Sequence, residues 1–133
     1  MSKYVPKDLV DLFVNTWNNH NSLRKCTTRD RINCGWCYQF ALVLKRLHGE
    51  RVQLWRDHGH AWVKIGDKFY DSNFPLGVKN YLDLRITSTQ DLKQNLTEEE
   101  FIMSWRVGGS GPVQLDVIEN TVRAYKMSMD IGA

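Results

Sequence analysis

The sequence predicts an α+β domain in which N-terminal helices pack on a small antiparallel sheet. Three observations predict it. Apolar residues recur at helical spacing in two early segments. The period then changes to alternation with β-branched and aromatic runs, and helical spacing returns in the last third of the chain. At 133 residues, 42% of them hydrophobic, with five Trp, five Tyr and five Phe, the chain has material for one core. It is read as a single compact domain over 1–133.

From Pro6 to His20, Leu9, Leu12, Phe13 and Trp17 fall on one helical face, with Pro6 and Lys7 in the first turn. The polar stretch from Asn18 to Arg31 reads as a loop. From Gly35 onward, Trp36, Phe40, Val43, Leu44 and Leu47 share a second helical face. Gly49 is expected as its left-handed C-cap, and His48 as a last-turn residue interacting with the helix dipole. "RVQLW", "HAWVKI" and "KFYDS" then read as strands, and the Gly66-Asp67 turn makes the last two a hairpin. Beyond Asn73 the pattern weakens. Thr97 to Glu100 has the form of a capping box opening a short helix to Trp105. "GGSGP" at 108–112 reads as a loop and 113–128 as a final helix. Asn95-Leu96-Thr97, formally a glycosylation sequon, is read as a helix start.

The 18 basic and 15 acidic side chains are dispersed, and the net charge of +3 includes no basic run, so nucleic acid is not an expected partner. No apolar run approaches the ~20 residues that span a bilayer, and "MSKYVPKDLVDLF" carries acidic residues where an export signal needs an apolar core. Three cysteines without a secretory signature point to free thiols in a reducing, cytoplasmic compartment.

The chemistry concentrates in "NCGWCYQFA", residues 33–41, where Cys34 and Cys37 are spaced C-x-x-C at the head of the second helix. Three readings compete. A thiol oxidoreductase would use the pair as a dithiol, but that arrangement follows a buried strand, and "KCTTRDRIN" is polar. A zinc-stabilised binding module would combine Cys34, Cys37, His58 and His60 as ligands. The third reading takes Cys37 alone as nucleophile. It needs a base and a group that orients the base. His60 opens one strand and Asp71 closes the next, so antiparallel pairing across the tight turn brings them together. A helix N-terminus also favours the negative thiolate. Against this stands the plain alternative that Cys37 is a small buried core residue.

These residues resemble a family. "GWCYQFA" (35–41) is similar to the G-x-C-x-x-[FY]-A helix start of the transglutaminase-like superfamily, rearranged relatives of papain. "HAWV" (60–63) and "FYDS" (69–72) are similar to its histidine and aspartate blocks, in the same order. The resemblance covers roughly residues 33 to 73. It implies a transglutaminase-like, papain-like core and acyl transfer by a Cys37–His60–Asp71 triad through a thioester. The product class is that of a protease, amidase, deamidase or transglutaminase. Partners are then a protein, peptide or small amide substrate, and no metal or cofactor is required. His60 is preferred over His58 because the block places histidine directly before Ala-Trp-Val. The oxyanion donors expected are the Cys37 backbone N–H and Asn33, with Trp36 walling the acyl pocket. Gln39 points away from Cys37, and Cys34 is expected to be inert or regulatory. Cys26 has no evident role. The Cys-to-His interval of 23 residues is short for the superfamily and implies a stripped core with an open cleft.

Overall fold

The computed structural model describes residues 3–20, 27–29, 32, 36–84, 92–108 and 114–132. Helix α1 (Lys7–Asn18) begins after Pro6, whose extended backbone and missing N–H suit a helix entry, and buries Leu9, Val10, Phe13 and Trp17. Helix α2 (Cys37–His48) buries every residue from Cys37 to Leu44, because it lies between the sheet on one side and helices on the other. Gly49 follows it with φ 73° and ψ −142°. The positive φ was expected, but this ψ lies outside the left-handed helical region. It sends the chain through a 3₁₀ turn, Gly49–Arg51, into the sheet.

The strands β1 (Val52–Arg56), β2 (Ala61–Ile65), β3 (Lys68–Asp71), β4 (Phe74–Val78) and β5 (Lys93–Leu96) form one antiparallel sheet in the order β4-β3-β2-β1-β5. The sequence reading contains neither β4 nor β5. Pro75 and Gly77 break the strand pattern of β4, and an edge strand is where such residues are tolerated. β5 is "KQNL", an exposed edge with no apolar alternation.

Both faces of the sheet are buried. Leu54, Val63, Ile65 and Tyr70 face α2 and share its core with Phe13, Phe40, Leu44 and Ile118. Trp55, Trp62 and Phe69 face the other way and are closed by the 3₁₀ turn Tyr81–Leu84, whose Tyr81 ring stacks on Trp62 at 5.8 Å. The α+β class expected from periodicity is therefore the class observed. The capping box at Thr97 is formed in both directions: Glu100 N–H donates to Thr97 Oγ1 (3.1 Å) and Thr97 N–H to Glu100 Oε1 (2.9 Å). It opens α3 (Glu98–Gly108), and α4 (Leu115–Gly132) packs on α1 and α2. Asn95-Leu96 closes β5, so the helix start falls at Thr97. No helix among the described residues is long and apolar enough to cross a membrane. His48 does not act as a charge at the helix end. Its Nε2 meets the Tyr4 carbonyl at 2.9 Å, and burial pushes its pKa down, so it is a neutral tie to the N-terminal segment.

One glycine carries the sheet edge. Gly77 has φ 85°, and a Cβ there would lie 2.7 Å from Cε1 of Tyr70, a ring packed edge-on against Tyr4. Gly77→Ala is expected to destabilise the protein by about 2 kcal/mol in urea unfolding; unchanged stability would show that β4 and Tyr70 are free to separate.

Candidate active site

The site is assembled where the N-terminus of α2 meets one end of the sheet. The β1–β2 connection, Asp57-His58-Gly59-His60, is locked by its own first residue. Asp57 N–H donates to the His60 carbonyl (3.0 Å), and the Asp57 carboxylate accepts the N–H groups of Gly59 (2.9 Å) and His60 (2.8 Å). Arg56 ties this hairpin outward. Its Nε donates to the Asp57 carbonyl (3.0 Å), its Nη1 to the Ser104 carbonyl of α3 (2.8 Å), and its guanidinium lies 5.4 Å from the Tyr38 ring centre. The backbone of His60 is thus held before its side chain makes any contact.

Asp71 arrives through the second hairpin. The register Ile65↔Lys68, Lys64↔Phe69, Val63↔Tyr70, continued one step, sets Asp71 opposite Trp62. His60 and Asp71 are then diagonal neighbours on the same side of the strands, within reach of each other. His60 Nε2 lies 3.0 Å from Asp71 Oδ2, with the two residues 1% and 2% exposed. The other oxygen, Oδ1, accepts the N–H groups of Asn73 and Phe74, both at 2.9 Å. A carboxylate only accepts, so the Nε2 facing it carries hydrogen, and Nδ1 is left for another partner. Nδ1 makes no hydrogen bond among the described residues.

Cys37 is the first residue of α2 and is 4% exposed. The first turn contains no acidic residue, while Lys45, Arg46 and His48 occupy the last, so nothing in the helix neutralises its positive end. Burial favours the neutral form of His60, but the Asp71 hydrogen bond and the adjacent Cys37 outweigh it and push the pKa from the ordinary 6.5 up to about 9. At neutral pH the ring is an imidazolium clamped by Asp71 with Cys37 beside it.

No family model, curated protein or solved structure matches this chain. The case for a site rests on its geometry.

That geometry brings Cys37, His60 and Asp71 together. Trp36 precedes α2, and its ring meets Trp17 of α1 edge-on at 6.0 Å. A gap beside Cys37 is walled by Phe40, Ala41 and Leu44 on α2 and by the strand residues from Ala61 to Val63. It is too narrow for a water molecule. Gln39 points away from Cys37, as expected, and its Oε1 accepts the Gln114 N–H at 3.0 Å. His58 is exposed whereas His60 is buried and bound to Asp71, so the two do not converge as a ligand pair. Among the described residues no group of three His, Cys, Asp or Glu could hold a metal. Asn33, Cys34 and Cys26 lie outside the described residues, as does most of the 108–112 loop.

Sequence reasoning missed Asp57 and Arg56. The signal for Asp57 is present, since Asp opening a turn that contains Gly accepts backbone N–H groups two and three residues on. Arg56 carries no such signal, because a buried arginine reads in sequence like an exposed one.

The His60 pKa sets a pH window for stability. A folded value of about 9 against the ordinary 6.5 means that the pairing stabilises the protein fully below pH 6.5 and is lost as pH rises through about 9. The free energy of urea unfolding should fall across that window, and Asp71→Asn should flatten the fall. Parallel curves for the two proteins would show that Asp71 does not hold the His60 proton.

Proposed function

We propose that this chain is a cysteine-dependent acyl-transfer enzyme of the transglutaminase-like type, with Cys37 as nucleophile, His60 as proton carrier and Asp71 as its orienting group. The observation that carries the reading is the buried 3.0 Å hydrogen bond from His60 Nε2 to Asp71, made beside a cysteine at a helix N-terminus. Chain order adds support, since the nucleophile helix precedes the histidine and aspartate strands as the resemblance implies.

The chemistry follows from the proton positions. Cys37 thiolate attacks the carbonyl carbon of an amide or related acyl donor, forming a C–S bond and a tetrahedral oxyanion. The Cys37 backbone N–H, at the first position of α2, is the proposed first donor to that oxyanion, and Asn33 the proposed second. His60 gives its Nδ1 proton to the leaving nitrogen as the C–N bond breaks, and Asp71 keeps the ring in the required tautomer. The thioester is then taken by water or by a second amine, whose proton returns to His60, and Cys37 leaves as thiolate. The substrate is a protein, peptide or small amide.

The closeness of the packing around Cys37 favours a second reading, a purely structural polar cluster in the core. Reactivity separates the two. Iodoacetamide at pH 7 is expected to label Cys37, with His60→Ala slowing labelling at least about tenfold and Cys34→Ser leaving it unchanged. An unreactive Cys37, or one indifferent to His60, would leave only the structural role. In a pH–rate profile, the alkaline limb should fall near pH 9, where His60 loses its proton. Asp71→Asn, which removes a group that raises this pKa, should move the limb to lower pH; an unmoved limb would assign it to another group.

A further inference from the structure

Trp62 is 1% exposed, and its indole Nε1 is a buried donor with no hydrogen-bond partner among the described residues. An unpaired N–H in a dry layer costs stability, and a wholly apolar ring would avoid that cost. The neighbouring Trp55 shows the usual arrangement, since its Nε1 donates to Gln53 Oε1 at 3.0 Å. Packing alone therefore does not account for an indole at position 62.

Its surroundings supply a reason. His60 leads into β2 two residues before Trp62, so along the extended chain the two share a side. The β2–β3 register, continued one step, sets Trp62 opposite Asp71. Trp62 is thus next to both partners of the buried hydrogen bond, His60 along the strand and Asp71 across it. Its ring centre lies 5.5 Å from that of His60 with the planes 31° apart, inside the ~6 Å over which a tryptophan attracts a cation. Tyr81 stacks on the indole at 5.8 Å with the planes 7° apart, and Trp55 lies 6.5 Å away, so the indole is itself held in place.

The remaining groups around His60 leave that task open. Asp71 on β3 meets Nε2 at 3.0 Å, and Cys37 on α2 lies beside the ring. Asp57, in the turn before it, holds the His60 backbone N–H, and Arg56 ends β1 one residue earlier. A hydrogen bond at one nitrogen fixes that atom and leaves the ring free to rock about the contact. A ring-to-ring contact fixes the plane. Burial also strips water from a charged imidazole, and an electron-rich neighbour replaces part of what is lost.

We infer that Trp62 is a positioning residue for His60, its indole setting the plane of the imidazolium and stabilising the charge so that Nδ1 stays available to Cys37. The inference rests on the acyl-transfer reading above for what that geometry serves. A packing role alone would make no demand on the electron density of the indole, and that difference can be measured.

5-Fluorotryptophan keeps the shape of the indole and draws electron density from its ring. Incorporated throughout the full chain, it should lower the pH at which His60 titrates in the ¹⁵N spectrum of histidine-labelled protein by about 0.3 pH unit. In Trp62→Phe the analogue reaches only the other four tryptophans and should leave that variant's titration unmoved. In Trp55→Phe, which removes the nearby indole instead, the movement should persist. An unmoved titration in the unmodified sequence, an equal movement in Trp62→Phe, or a movement lost in Trp55→Phe overturns the inference. Iodoacetamide labelling of Cys37 at pH 7 separates it from the reading beneath it. If labelling depends on His60 while fluorination leaves the titration unmoved, the role of Trp62 alone falls. If the titration moves but labelling is the same in His60→Ala, the acyl-transfer reading falls and the positioning role falls with it.

Discussion

One buried hydrogen bond, His60 Nε2 to Asp71 Oδ2, orders the end of the molecule where the chemistry is proposed. It joins the residue that leads into β2 to the last residue of β3, so it closes the open end of a hairpin whose other end is the Gly66-Asp67 turn. The same carboxylate holds the Asn73 and Phe74 N–H groups, and β4 starts from that anchor. Removing either partner would strand a polar group in a dry site, an imbalance of about 3–5 kcal/mol for buried ionic pairs. The site and the fold of the sheet edge therefore share one interaction.

The position of Cys37 follows from packing rather than from polar contacts. α2 is buried around its whole circumference over two turns, between β1–β2 on one side and α4 on the other, with Phe13 of α1 edge-on against its Phe40, so it has little freedom to rotate or slide. Its first residue is delivered to the end of the sheet where His60 and Asp71 meet. The sheet is equally constrained, because the Trp55, Trp62 and Phe69 layer fills its far face. Trp62 lies directly after Ala61, and its ring sits 5.5 Å from the His60 ring, so the aromatic layer extends to the imidazole. An imidazole held between an aromatic wall, a carboxylate and a thiol has few orientations open to it.

Much of this was legible in the sequence, for identifiable reasons. α1, α2 and the β2–β3 hairpin carry strong periodicity, and eleven residues with a two-residue turn leave His60 and Asp71 little choice but to meet. The Thr97 capping box is a local motif and forms as such. β4 and β5 were illegible because edge strands bury little: "FPLGV" contains two strand breakers, and "KQNL" is mostly solvated. His48 was read from its place near a helix end, whereas burial lowers its pKa and a carbonyl of the N-terminal segment, remote in sequence, holds its ring. The contributions of Asp57 and Arg56 depend on burial, which composition does not reveal.

Cys37, His60 and Asp71 are proposed to form one proton-sharing unit. The most direct measurement is the ¹⁵N spectrum of histidine-labelled protein, followed through pH for the unmodified chain and for Cys37→Ala. The expected result is a doubly protonated His60 ring at pH 7 that titrates near pH 9, with the titration moved to lower pH when Cys37 is replaced. A ring already neutral at pH 7, or one whose titration ignores the loss of Cys37, would contradict it.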